Sequence, residues 1–325
     1  MEQTSSEFLR ALRGHRSQVQ WARRLGYKGN PITDWERGDR FPTMEEALRA
    51  AALAGVDVIA ATARFAPALP LQRTGQQLLL AEWLSALRGS VSLAELAASS
   101  GFSRFAVSRW LRGRAKPRVP EFFRLLDAIT GRLPEWLAEL VEIALVPSLV
   151  PRFRAMHAAK QLAFEAPWTE AVLRLLETQP YLALARHEPG FLAESLGVQR
   201  AEAERCLERL LDAEIIVRRR HKYAVKGRRS TVDTRGGDRA LLNLKRHWTQ
   251  VAAERLAAPR PGDFFAYNVI SVSRADLERV REKLRATFRE LRSLVAASEP
   301  EEAAALINLQ VVTFLPPEPP APPGA

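Results

Sequence analysis

"FSRFAVSRWLRGRAKPR", residues 102–118, holds six Lys or Arg side chains and no Asp or Glu. An earlier line, "YKGNPITDWERGDRFP" at residues 27–42, carries the same Trp, Gly and Pro landmarks at a constant offset of 75 residues. Aligned without a gap, residues 8–44 and 83–119 match at Leu9/Leu84, Ala11/Ala86, Leu12/Leu87, Arg13/Arg88, Gly14/Gly89, Ser17/Ser92, Ala22/Ala97, Gly26/Gly101, Trp35/Trp110, Arg37/Arg112, Gly38/Gly113 and Pro42/Pro117. Matches at one fixed offset mark an internal duplication. The matched types are those a small helical unit needs: a Ser to cap a helix, a small Ala at a close contact, a Gly to leave the helix, and an aromatic anchor before the next Gly.

In the second copy, Ser92 opens a helix that places Leu93, Leu96 and Ala97 at helical spacing and stops at Gly101. A second helix restarts after Ser103 with Val107, Trp110 and Leu111 on its inner stripe. Arg104, Ser108 and Arg109 turn away from that stripe, and Arg112, Arg114, Lys116 and Arg118 follow the helix end. Trp35 and Trp110 lie on the apolar stripe and are expected to anchor a core rather than stack on bases.

Gln-containing helix, Gly turn, then "ITDWERGDRFP" resembles the Cro/CI-like helix-turn-helix domains of bacterial and phage repressors, over residues 5–65 and again 78–145. The resemblance implies double-stranded DNA as partner, with the second helix of the motif in the major groove and the first across the backbone. It implies Gln18 as a phosphate contact in copy one and Ser103, Arg104 and Ser108 as groove residues in copy two. Lys28, Asn30, Thr33, Arg37 and Arg40 are the matching candidates of copy one. The copies differ: copy one has Gly29, Asn30 and Pro31 where reading side chains should project, and Asp34 and Glu36 are expected to face phosphates unfavourably; copy two has Leu93 in place of the first-helix Gln but a wholly basic reader. Copy two is therefore the expected base reader, with Lys116 and Arg118 expected at phosphates, and copy one a direct contact or a supporting or dimerising unit.

Residues 146–168 read as a helical linker, broken at Pro147 and Pro151. Over residues 169–229, "TEAVLRLLETQ", "PGFLAESLGV" and "QRAEAERCLERLLDAEII" read as three helices, the last with Ala203, Cys206, Leu207, Leu210 and Leu211 on one face, and "IVRRRHKYAVK" reads as strand. Three helices and a basic hairpin suggest a winged helix. Its Arg218, Arg219, Arg220, His221, Lys222, Lys226, Arg228 and Arg229 admit two readings, a wing along phosphates or an edge strand guarded by charge, and the acidic helix with Glu202, Glu204 and Glu208 leaves open a winged helix used for protein contacts. Residues 238–316 read as a small α/β dimerisation or sensing domain, with strands "DFFAYNVISVS" and "AALINLQVVTFLP" around a helix of about six turns. Residues 317–325 read as a disordered Pro-rich tail. From about Glu170 to Pro316 the pattern resembles an uncharacterised family of bacterial regulators catalogued as a domain of unknown function, on the winged helix, "NLKRHWTQVAAERL", "NVISVSRADLERVREKLRATFREL" and "INLQVVTFLP".

Composition sets the outer limits. A formal net charge of +11 over 325 residues favours a polyanionic partner, nucleic acid or an anionic membrane surface. A lone cysteine excludes an intramolecular disulfide, and five scattered histidines give no metal-ligand spacing. No signal peptide, membrane span, phosphate-cradling Gly-rich loop or catalytic constellation is visible, so no enzyme, cofactor or metal is expected. The fold expectation is mainly α: tandem helix-turn-helix domains, then a winged helix and a small α/β C-terminal domain. The functional expectation is a cytoplasmic, nucleoid-associated, sequence-specific regulator, a homodimer with an unknown small-molecule or protein effector at its C-terminal domain. The alternative is a non-enzymatic scaffold, or a non-specific nucleoid-binding protein, that reuses such modules.

Overall fold

The computed structural model describes residues 1–66, 73–74, 77–89, 91–226, 239–296 and 298–314. The chain is mainly helical. The first repeat gives α1 (Glu2–Arg13), α2 (Gln18–Arg24), α3 (Ile32–Arg37), α4 (Met44–Ala54) and α5 (Val58–Phe65). A two-residue ribbon, β1 (Arg73–Thr74) with β2 (Gln77–Leu78), precedes the second repeat. The same order returns as α6 (Leu80–Arg88), α7 (Leu93–Ser100), α8 (Arg104–Leu111), α9 (Val119–Thr130) and α10 (Leu133–Ala138).

Equivalent residues do equivalent work. Ser17 and Ser92 cap α2 and α7, each in a reciprocal box with the residue three positions on, Gln20 or Glu95. Gly26 and Gly101 leave those helices at φ 84° and 71°, a left-handed conformation that an L side chain adopts only with strain. Tyr27 packs edge-on to Trp35 at 5.5 Å, and Phe102 to Trp110 at 4.9 Å, again 75 residues apart. Both tryptophans are buried.

The two repeats share one apolar core, which runs from Phe8 through Trp83, Phe122, Phe123 and Trp136 to Val146 and Leu149. Phe8 meets Phe123 edge-on at 5.4 Å, and Trp83 lies 6.5 Å from Phe122 and 5.9 Å from Trp136. The repeats thus bury their apolar faces against each other. Pro151 begins rather than interrupts a helix: after a 3-10 turn at Ile143–Leu145 it occupies the first turn of α11 (Val150–Glu165), where its missing N–H has no helical partner to lose.

A second core holds α12 (Trp168–Leu176), α13 (Gln179–Ala183), α14 (Pro189–Leu196) and α15 (Arg200–Asp212) with the antiparallel hairpin β3 (Ile216–Arg219) and β4 (Lys222–Val225). Ala203, Cys206, Leu207 and Leu210 are buried in it, while Leu211 is half-buried. Burial pushes the Cys206 thiol up to about 11, so it stays a protonated core group.

The last elements are α16 (Arg239–Ala257) and α17 (Arg274–Ala296). The α/β expectation for this region is corrected: residues 263–273 and 304–314 form no strand. Strand patterning becomes a sheet only where a neighbour supplies backbone partners. Here Asn308 and Gln310 bond through their side-chain amides to Thr249 Oγ1 instead, at 3.4 and 2.8 Å. Phe264, Tyr267 and Phe314 are left 87%, 94% and 84% exposed. Arg228 and Arg229 and the Pro-rich tail lie outside the described residues.

Because Phe8 and Phe123 belong to different repeats and both are fully buried, replacing either with Ala should cost about 3–5 kcal/mol. In a double-mutant cycle measured by urea denaturation, the two losses should couple by about 0.5–1.5 kcal/mol. Additive losses would mean that the repeats do not support each other.

Candidate nucleic-acid interface

The second copy holds four of its candidate arginines in solvent. Ser103 caps α8 by accepting from the Ala106 N–H, which commits its hydroxyl to the helix start. Val107, Trp110 and Leu111 point into the core, so helical geometry leaves Arg104 and Arg109 exposed and Ser108 half-buried. Among the described residues, Arg104, Arg109, Arg112 and Arg114 make no side-chain hydrogen bond or ion pair, and all four are exposed. Four guanidinium groups within eleven residues, none neutralised, give this face an uncompensated positive field.

One residue of this face is absent from the sequence reading. Phe105 is 71% exposed, with the Arg109 guanidinium over its ring at 5.6 Å. The signal was available: Phe105 sits three and four residues before Ser108 and Arg109, on the same helical face. An aromatic ring held out in water beside a cation suits contact with an apolar base edge such as a thymine methyl.

Lys116 and Arg118, expected at phosphates, are engaged elsewhere. The Lys116 ammonium pairs with the Glu45 carboxylate of the first repeat, and the Arg118 guanidinium donates to the Phe41 carbonyl. Both link the repeats.

In the first copy the candidates are largely turned on one another. The Gln18 amide donates to Glu36 Oε2 at 2.9 Å and its oxygen accepts from the Thr33 hydroxyl at 3.0 Å, while the Asn30 amide donates to Thr33 Oγ1 at 2.9 Å. Arg37 is paired with Asp34 and Asp39, each at 3.1 Å. Lys28 and Arg40 are exposed with no ion pair among the described residues. The expectation that Glu36 faces a phosphate surface is corrected. Its side chain is 6% exposed and is clamped by the Arg13 fork, with Nε at 2.5 Å from Oε1 and Nη2 at 3.1 Å from Oε2. An inward carboxylate so held fixes α3 against α1 and repels nothing outside.

The hairpin of the second core places Arg218, Arg219 and Arg220 in solvent, whereas the half-buried Lys222 donates from Nζ to the Leu182 carbonyl at 2.6 Å. Arg220 turns the hairpin at φ 55°. On α15 two pairs of charges close on themselves, Arg200 with Glu204 at 2.8 Å and Arg205 with Glu202. Beneath the hairpin, Tyr181 is fully buried and its hydroxyl meets His187 Nδ1 at 3.2 Å and accepts from the Tyr223 N–H at 3.1 Å.

A family described as "Domain of unknown function (DUF4423)" matches residues 156–313. That span holds the second core, α16, α17 and the extended segments, and lies outside both repeats. No curated protein and no solved structure matches the chain. Among the described residues, no helix is long and apolar enough to cross a membrane.

Burial depresses the pKa of His187, helped by Arg218, and burial likewise depresses that of His247. Both imidazoles therefore take up protons more readily in the unfolded chain, so their stabilisation is complete above the ordinary value of about 6.5 and falls as the pH drops through and below it. The urea midpoint for unfolding should be lower at pH 5.5 than at pH 7.5, and His187→Gln should reduce that difference. An unchanged difference in the variant would remove His187 from this account.

Proposed function

We propose that the chain is a sequence-specific double-stranded DNA-binding regulator whose principal reader is α8. The observation that carries this reading is the contrast between equivalent helices. On α8 and the residues after it, Arg104, Arg109, Arg112 and Arg114 are exposed and uncompensated, whereas on α3 the corresponding Arg37 is held between two carboxylates. Charge left unpaired at this density lowers stability by self-repulsion, and a polyanion relieves it. The paired helices α7 and α8, with the Ser103 cap at the start of the reader and its apolar stripe buried, form the helix-turn-helix frame that presents an N-terminal half-helix to a major groove.

In this reading Arg104 and Arg109 meet base edges, where a bidentate arginine selects guanine through O6 and N7, with Phe105 and Ser108 beside them. Arg112 and Arg114 lie along phosphates. The three helices and hairpin of residues 168–226 act as a winged helix whose Arg218, Arg219 and Arg220 follow the backbone nearby. Its α15, with Arg200 and Arg205 paired to Glu204 and Glu202 and a further carboxylate at Glu208, makes no base contact. A second reading, a protein scaffold without base discrimination, draws on the exposed apolar side chains Phe264, Tyr267, Val269, Val312 and Phe314.

Selection of bound duplexes from a random pool separates the two, because a regulator enriches a motif and a scaffold does not. On the enriched duplex, Arg104→Ala or Arg109→Ala should each cost about 1–3 kcal/mol, roughly 5- to 150-fold in affinity, and relax base preference at one position. Arg112→Ala and Arg114→Ala should weaken all sequences alike and each lower the slope of log K against log salt by about 0.9. Unchanged affinity and preference in the first pair would sink the assignment of α8 as reader.

A further inference from the structure

The contacts between the repeats are reciprocal. The Met44 N–H donates to the Pro117 carbonyl at 2.9 Å, and the Val119 N–H donates to the Pro42 carbonyl at 3.1 Å. Met44 and Val119 are equivalent positions, as are Pro42 and Pro117, so each repeat gives the other the bond it receives. Between them Thr43 faces Arg118 in an antiparallel bridge, and these two are also equivalent. A second self-equivalent pair lies further out: Arg64 Nε meets Glu139 Oε2 at 2.6 Å, 75 positions apart. A translation along the chain would repeat a contact in one direction only. Contacts that run both ways, with equivalent residues facing each other, are the mark of a two-fold relation such as joins identical subunits. The duplication has built the counterpart of a symmetric dimer inside one chain.

The two candidate readers are leashed to that axis. Pro42 stands five positions beyond Arg37, the end of α3, and Pro117 six positions beyond Leu111, the end of α8. At about 3.5 Å per residue these leashes span at most about 18 and 21 Å, and the bridge between them adds about 5 Å, so the two helix ends lie no more than about 45 Å apart, a reach that includes one turn of DNA. Half-sites one helical turn apart on DNA are centred about 34–36 Å apart. The shared core and the inter-repeat pairs of Lys116 with Glu45 and Arg118 with Phe41 hold the spacing firm.

We propose that one chain engages two half-sites one helical turn apart, through α8 on one and α3 on the other, and that the two halves are unequal. This rests on the DNA-binding reading above. The α8 half is read by arginines and demands defined bases. The α3 half meets Lys28 and Asn30, with Arg37 neutralised by Asp34 and Asp39, and contributes contact with weaker base preference. No second chain is needed to bring two readers to the duplex.

The test uses the full chain on its selected duplex, with hydroxyl-radical footprinting and native mass spectrometry of the complex. The expected result is one chain per duplex and two protected tracts about 10 base pairs apart, with strong base preference in one. Lys28→Ala combined with Asn30→Ala should weaken protection of the lesser tract only, and Arg104→Ala should relax base preference at one position of the other. Five base pairs inserted between the tracts should lower affinity at least tenfold. A single protected tract with one chain bound, or two equal tracts occupied by two chains, would overturn the proposal while leaving DNA recognition intact. No enriched motif and no protection would instead remove the DNA-binding reading itself.

Discussion

The two backbone hydrogen bonds across Pro42 and Pro117 are the constraint on which the N-terminal half depends. Each begins the helix that carries the largest share of the shared core, α4 in one repeat and α9 in the other. At both starts a Glu three residues in, Glu46 or Glu121, accepts from the N–H of the capping position at 2.8 or 2.7 Å. The next N–H, which a helix start leaves unsatisfied, is taken by the opposite repeat's proline carbonyl. Neither helix start is complete without the other repeat. This local requirement and the continuous aromatic core point the same way, so fusing the repeats satisfies polar groups and apolar surface together.

Fusion also explains why the repeats were able to diverge on their outer faces while the inner ones stayed alike. The caps, the glycine exits and the tyrosine or phenylalanine edge against tryptophan are required in both copies, because each supports the common core. Outside it, one copy carries unpaired arginines and the other a closed network of Gln18, Thr33, Asn30, Arg13 and Glu36. In the proposed function that asymmetry is the difference between a demanding and a permissive half-site.

Much of this was legible in the sequence. The offset of 75 residues, the helix starts at Ser92 and after Ser103, and the inward stripe of Val107, Trp110 and Leu111 are local signals of capping and periodicity, and those do not depend on distant chain. What escaped was non-local. Nothing in the neighbourhood of Lys116 shows that its partner is Glu45, 71 positions earlier, or that Glu36 will be drawn inward by Arg13. The strands expected near the C-terminus failed for the same reason: period-two patterning describes what a segment presents to a sheet, and the sheet must come from elsewhere.

That last failure bears on how the halves of the chain divide their labour. The N-terminal half buries its apolar surface internally, down to the fully buried Trp136 and Phe123. The segments around α17 do not: α17 has no buried residue among those described, and the flanking segments hold Phe264, Tyr267 and Phe314 in water. Exposed aromatic side chains in such number are costly to a soluble chain unless contact with another surface offsets them. In the proposed reading the chain carries two readers about an internal axis, so it has no need of that surface for bringing readers together. These segments lie within or at the edge of the span that the domain of unknown function matches, residues 156–313, so the exposed aromatic surface belongs to that part of the chain and not to the repeats.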